Sequence, residues 1–141
     1  MTVHETKEWL NQAYRMQEQI SCIKKEMNML QEMAEYITPI YENREDGKSS
    51  NISDRTATIA IEIADKQREY EQELQEYIDA IGRVKTIISQ VCCEDERLLL
   101  RKRYLDFERW EQIALELNYS LSYIFEIHRS AIKKVYKIIG K

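Results

Sequence analysis

Residues that break helices are almost absent from this chain. Its 141 residues include three Gly and a single Pro, Pro39. A multi-stranded β fold needs many turns, and turns draw heavily on Gly and Pro, so this scarcity favours a few long helices. Charged residues make up 33% of the chain, and no apolar run is long enough to cross a bilayer. The sequence therefore predicts an all-α cytoplasmic protein with no membrane contact and no signal peptide.

A heptad repeat dominates the first third of the chain. From Trp9 to Ile37 the apolar residues recur in alternating steps of four and three, which is the spacing of a coiled-coil seam. Pro39 predicts that this helix ends near residue 37, because proline disfavours the α conformation in the residue before it. The seam residues assigned to an oligomer contact are Trp9, Met16, Ile20, Ile23, Met27 and Leu30.

A polar stretch, residues 42–53, is predicted to be an exposed loop before a second helix over residues 54–91. Ser53 or Asp54 is the expected N-cap of that helix, because short polar side chains accept hydrogen bonds from a free first turn. The apolar stripe changes phase around Lys66 to Tyr70, which predicts a coiled-coil stutter. The seam residues that follow, also assigned to the oligomer contact, are Tyr70, Leu74, Tyr77 and Ile81.

Two long amphipathic helices separated by a polar loop predict an antiparallel hairpin. The expected fold is thus all-α, with a long coiled-coil hairpin over residues 1–92 and a small three-helix module over residues 93–141. Apolar residues on the second helix exceed what one partner helix covers, so we expect a homo-oligomer, with a dimer favoured.

Catalytic and metal-binding signatures are missing from the sequence. The three cysteines, Cys22, Cys92 and Cys93, are odd in number and contain no CxxC pair, so they are interpreted as buried or half-buried free thiols. The acidic run Glu94 to Glu96 is typical of a helix start rather than a metal site. Without a Gly-rich phosphate loop or a paired catalytic base, we expect a non-enzymatic protein with no cofactor and no metal.

Charge is divided unevenly along the chain. Residues 97–141 hold 10 Lys and Arg against 5 Asp and Glu, whereas residues 1–96 hold 11 against 20. A basic C-terminal third suggests an anionic partner such as nucleic acid, although charge alone fits a solvated surface equally well.

The C-terminal third has the pattern of a helix-turn-helix. Helices are predicted over about 94–104, 108–117 and 120–138, with Asp106 capping the second of them. Asn118 is suited to a left-handed turn and Ser120 to capping the last helix. The last helix has an apolar side, and its other side carries Ser122, Tyr123, Glu126, Arg129, Ser130, Lys133, Lys134 and Lys137.

In a helix-turn-helix, the first residues of the second helix reach base edges and basic residues further along contact phosphates. The base-facing residues are therefore predicted to include Ser122, Tyr123, Glu126 and Arg129. The predicted phosphate contacts are Arg109, Lys133, Lys134 and Lys137. A helical hairpin that only packs is the alternative.

Several residues carry a family resemblance: Arg103-Tyr104, Trp110, Ile113-Ala114, Leu117, Ser120, Ile124, Ile127-His128, Arg129 and Ala131. This pattern resembles region 4 of sigma-70-type factors and, more closely, the ArpU- and RinA-type late regulators of Gram-positive phages. A related prophage and mobile-element family is similar along the whole chain, including its segment Lys7 to Met16. The resemblance implies a phage-type transcriptional regulator that binds duplex DNA and contacts RNA polymerase.

Sigma-type roles carried onto this chain place Leu121, Ser122, Phe125 and Glu126 at base-facing positions. Sigma factors have arginine and other polar groups there, so Leu121 and Phe125 depart from the pattern. Leu121, Phe125, His128 and Ile132 also follow four-three-four spacing, which alternatively predicts core or dimer contacts. Two other functions stay open: a DNA-packaging oligomer similar to a terminase small subunit, and a protein-interaction module whose helix-turn-helix does not bind DNA.

Overall fold

A computed structural model describes residues 2–42 and 49–140, with side chains for residues 2–36 and 54–140. Every regular element in these ranges is an α-helix, which confirms the all-α fold class. The helices are α1 (Val3–Leu10), α2 (Gln12–Glu42), α3 (Ser49–Ser89), α4 (Glu94–Tyr104), α5 (Trp110–Leu117) and α6 (Leu121–Ile139). The coiled-coil hairpin stays a prediction.

The N-terminal segment forms two helices instead of one. Thr2 caps α1 through a reciprocal pair of hydrogen bonds: its Oγ1 accepts from the Glu5 amide at 3.1 Å, and its own amide donates to the Glu5 carboxylate at 2.9 Å. Asn11 then leaves the helical conformation with φ −83° and ψ 4°. The prediction of one continuous helix along this heptad was therefore wrong, because a heptad pattern does not indicate a local break between seam positions.

The predicted helix ends around the polar stretch were also wrong. Helix α2 continues through Pro39 to Glu42, and α3 already begins at Ser49. Ser53 and Asp54 consequently lie inside α3 and do not cap it. A proline costs helix stability but does not oblige a long helix to stop. The remainder of the predicted loop, residues 43–48, lies outside the described residues.

Burial along the two long helices follows coiled-coil spacing. In α2 the residues from Ala13 to Ala34 at steps of three and four are buried or half-buried, and they include the predicted seam residues Met16, Ile20, Ile23, Met27 and Leu30. In α3 the buried or half-buried residues include the predicted seam residues Tyr70, Leu74, Tyr77 and Ile81, and also Ile59, Ile63, Lys66, Glu73, Ala80, Val84, Ile87 and Ile88. The stutter stays a prediction. Lys66, at the start of the predicted phase change, is half-buried, and its ammonium lies 2.7 Å from the Glu26 carboxylate.

The chain divides into two compact units, one of residues 1–17 with 76–141 and one of residues 18–75. The first unit has a shared core in which α1, the end of α3, α4 and α6 meet. Its buried members are Leu10, Val84, Ile88, Val91, Leu100, Tyr104, Ala131, Ile132 and Val135. The predicted domain boundary at residues 92 and 93 falls inside this unit.

The three cysteines are free thiols, as predicted, but Cys22, Cys92 and Cys93 are all exposed rather than buried. Their preference for interiors is statistical, and here each one lies off the buried seam positions.

Candidate nucleic-acid interface

Helices α5 and α6 form the predicted helix-turn-helix. Asn118 adopts the left-handed conformation, with φ 58° and ψ 39°, and ends α5. Ser120 caps α6 by accepting a hydrogen bond from the Tyr123 amide at 3.2 Å. Both predictions are confirmed. A small core of Leu99, Ile113, Ile124 and Ile127 holds α4, α5 and α6 together, and Ala114 packs against it.

The loop that leads into α5 differs from the prediction. Asp106 does not cap the helix, which begins at Trp110 with Arg109 at the N-cap. Phe107 takes a left-handed conformation, with φ 57°, and its ring meets Tyr14 of α2 edge to face at 5.5 Å. The chain therefore turns once more after Asp106 before α5 can start. No local pattern predicts this turn, because a left-handed phenylalanine is rare.

The outer face of α6 is open to solvent, as the helical pattern predicted. Its exposed residues are Ser122, Tyr123, Phe125, Glu126, Arg129, Ser130, Lys133, Lys134 and Lys137, and Arg109 is exposed at the start of α5. Arg129, Lys133 and Lys137 follow one another at steps of four residues, so they line one side of the helix. None of these three forms an ion pair with any residue that the structure describes.

The stripe at residues 121, 125, 128 and 132, which was predicted to face either DNA bases or a protein core, is divided between core and surface. His128 and Ile132 are buried, whereas Leu121 and Phe125 are 38% and 39% exposed. Phe125 is turned towards α5, where its ring meets Trp110 edge to face at 5.4 Å. The Arg103 guanidinium covers Trp110 at 4.5 Å from the ring centroid. Part of the Phe125 ring thus supports the module, and only its remaining edge is available to a ligand.

His128 is a packing residue of this module. Its Nε2 lies 2.7 Å from the Tyr104 hydroxyl, and its ring meets Trp110 at 4.7 Å. Burial, with the nearby charges of Lys7 and Arg103, lowers the pKa of His128 to about 4. Burial likewise raises the pKa of Tyr104 to about 12. Both groups are therefore neutral near pH 7, and His128 offers no charge to a phosphate.

Two acidic residues in the first turn of α4 contact the turn and the second helix of the helix-turn-helix. Asp95 accepts a hydrogen bond from the Tyr119 hydroxyl at 2.9 Å, beside the turn. Glu96 is 6% exposed, accepts from the Ser130 hydroxyl at 2.7 Å and lies 2.7 Å from the Lys134 ammonium. The acidic run is a helix start, as predicted, but sequence reasoning missed these three contacts because their partners lie more than 20 residues away.

Comparisons leave the family resemblance a prediction: the chain matches no family model, no curated protein and no solved structure. Among residues 2–42 and 49–140, no helix combines the length and apolar character that a membrane crossing requires. The same ranges contain no cluster of three metal-ligating side chains.

Proposed function

We propose that this protein is a cytoplasmic, phage-type transcriptional regulator that binds duplex DNA through α6 and acts by binding rather than by catalysis. The observation that carries the proposal is the row of cations Arg129, Lys133 and Lys137 on the solvent face of the second helix of a helix-turn-helix. Within residues 2–42 and 49–140, none of the three forms an ion pair. Unpaired lysines and arginines release counterions when they meet phosphates, and this is a main source of affinity for duplex DNA.

The geometry supports a division of roles along α6. Its N-terminal turns would enter the major groove, where Ser122 and Tyr123 can hydrogen-bond to base edges. Glu126 can accept from a cytosine amino group, which is a recognised contact for a carboxylate. Arg129, Lys133 and Lys137 would then contact the phosphates, joined by Arg109 from the N-cap of α5.

The proposal is tested by binding to random duplex DNA across a salt series, read by fluorescence anisotropy. We expect affinity to fall steeply with salt for the native protein. Replacing Lys133 and Lys137 with alanine should reduce the slope of log K against log salt by about 1.8, since each phosphate contact contributes about 0.9.

A matched control removes the same charge elsewhere. Lys24 and Lys25 are exposed on α2, and their double alanine variant should retain the native slope. Absence of binding at low salt by folded protein would overturn DNA binding. An equal loss in the control would show that only overall charge matters.

We further propose that a second copy of this chain binds the outer side of α2. Met29, Met33 and Tyr36 are 62%, 50% and 73% exposed, and with Glu32 they line a depression of about 450 Å³. Their spacing of four and three makes one continuous stripe, and a two-fold contact brings the same stripe of both copies together. Pairing two DNA-binding modules raises affinity through effective concentration.

Replacing Met33 with glutamate should shift the dimer towards monomer, with the dimer dissociation constant rising about tenfold or more, because a carboxylate is costly to bury without a partner. Sedimentation velocity measures the change. Ile78, which is 53% exposed on α3, gives the matched control Ile78→Glu. A native protein that sediments as a monomer would contradict this contact.

A protein partner such as RNA polymerase is a second candidate ligand of the module. Beside the turn, Leu115 is 73% exposed and Leu121 is 38% exposed. Both line a depression of about 510 Å³, together with Glu111, Ala114, Asn118 and Tyr119. Exposed leucines suit contact with protein better than with phosphate. If the salt series shows no DNA binding, this surface becomes the leading functional site.

A further inference from the structure

Glu96 is a buried acid, and each of its two carboxylate oxygens contacts a side chain of α6. One oxygen accepts from Ser130 and the other pairs with Lys134, each at 2.7 Å. Ser130 and Lys134 are four residues apart and so lie on the same side of α6, one turn from each other. Together the two contacts restrict the rotation of α6 about its axis and its position along that axis, relative to the start of α4.

The same contact changes what Lys134 can do. The Glu96 side chain is 8% exposed while that of Lys134 is 45% exposed, so the ammonium lies at the surface with its countercharge directly beneath. The hydrogen bond to Glu96 raises the pKa of Lys134, which keeps the ammonium protonated. A phosphate that captured this ammonium would leave Glu96 buried and unpaired, and such a charge is strongly unfavourable.

We propose that Glu96 positions α6 and weakens its binding to DNA by withholding the charge of Lys134 from phosphates. This inference rests on the proposed function. It divides the predicted phosphate contacts into two classes: Arg109, Lys133 and Lys137 bind DNA, whereas Lys134 is held by its contact with Glu96. Affinity for nonspecific duplex is therefore lower than it would be if Lys134 also contacted a phosphate.

Replacing Glu96 with glutamine tests the proposal. The amide oxygen still accepts from Ser130 and the shape is unchanged, but the countercharge of Lys134 is lost. We expect the slope of log K against log salt to steepen by about 0.9, the contribution of one added phosphate contact. A structural role alone would weaken binding or leave it unchanged, so tighter binding is diagnostic.

Lys134→Ala completes the comparison. In the native background it should leave the salt slope unchanged, although Lys133→Ala reduces the slope by about 0.9. In the Glu96→Gln background, Lys134→Ala should restore the native slope. Equal slopes for the native protein and Glu96→Gln, or equal losses for Lys133→Ala and Lys134→Ala, would overturn the proposal.

The outcomes separate this proposal from the one on which it rests. If the native protein binds duplex with a steep salt dependence and Glu96→Gln does not differ, only the role of Glu96 fails. If folded native protein does not bind duplex at low salt, DNA binding itself fails. Should far-UV circular dichroism show that Glu96→Gln is unfolded, the contrast between Lys133→Ala and Lys134→Ala in the native background decides the question.

Discussion

Shortening Leu10 to alanine should lower the free energy of unfolding of the unit that carries the helix-turn-helix by about 3 kcal/mol. Leu10 lies at the end of α1, is fully buried, and shares its core with Leu100, Ile132 and Val135 of α4 and α6. Removing a buried leucine loses its transfer free energy and leaves a cavity that a closed core fills only in part. Urea denaturation followed by far-UV circular dichroism measures the change.

Val3 provides the control within the same helix. It is 47% exposed, so Val3→Ala should change stability by less than about 0.5 kcal/mol. Comparable small effects for both variants would contradict the packing of α1 into this core. A large effect for Leu10 alone would mean that the helix-turn-helix needs the N-terminal helix in order to fold stably.

The features that the sequence predicted well depend on neighbouring residues. The bounds of α4, the left-handed Asn118 and the Ser120 cap all follow from local backbone and hydrogen-bond chemistry. The open face of α6 follows from helical periodicity, which also depends only on residues within a few turns. These local features do not depend on contacts with distant parts of the chain.

The features that were missed depend on distant partners. Leu10 lies outside the heptad seam, and its burial comes from helices more than 70 residues further along the chain. The sequence indicated no partner for Lys66 or Glu96, yet Lys66 pairs with Glu26 and Glu96 with Lys134, each on another helix. A long lysine can occupy a seam position because its methylene stem packs while its ammonium stays at the surface. A pattern that counts only apolar residues therefore misses a half-buried lysine such as Lys66.

Acid should destabilise the fold through His128. In the unfolded chain its pKa is about 6.5, whereas burial lowers the pKa of His128 to about 4 in the folded protein. Between these two values the unfolded state binds more protons, so stability is lost as the pH falls through this window and is regained as the pH rises. The contribution of His128 should be about 3 kcal/mol between pH 6.5 and pH 4, measured by urea denaturation at stepped pH.

Substitution of His128 by glutamine isolates this contribution, because glutamine keeps a hydrogen-bonding partner for Tyr104 but does not titrate. The contributions of all other titrating groups to the stability cancel when the native protein and His128→Gln are compared at each pH. Tyr104, which lies within hydrogen-bond distance of His128, has its pKa raised to about 12 and so adds no step of its own in this window. The stability of the native protein relative to His128→Gln should therefore fall by about 3 kcal/mol as the pH falls from 6.5 to 4, and the two profiles should run parallel above pH 6.5. Profiles that stay parallel throughout this window as well would show that His128 is protonated at no cost, and hence that its ring is not enclosed by Tyr104 and Trp110 in solution.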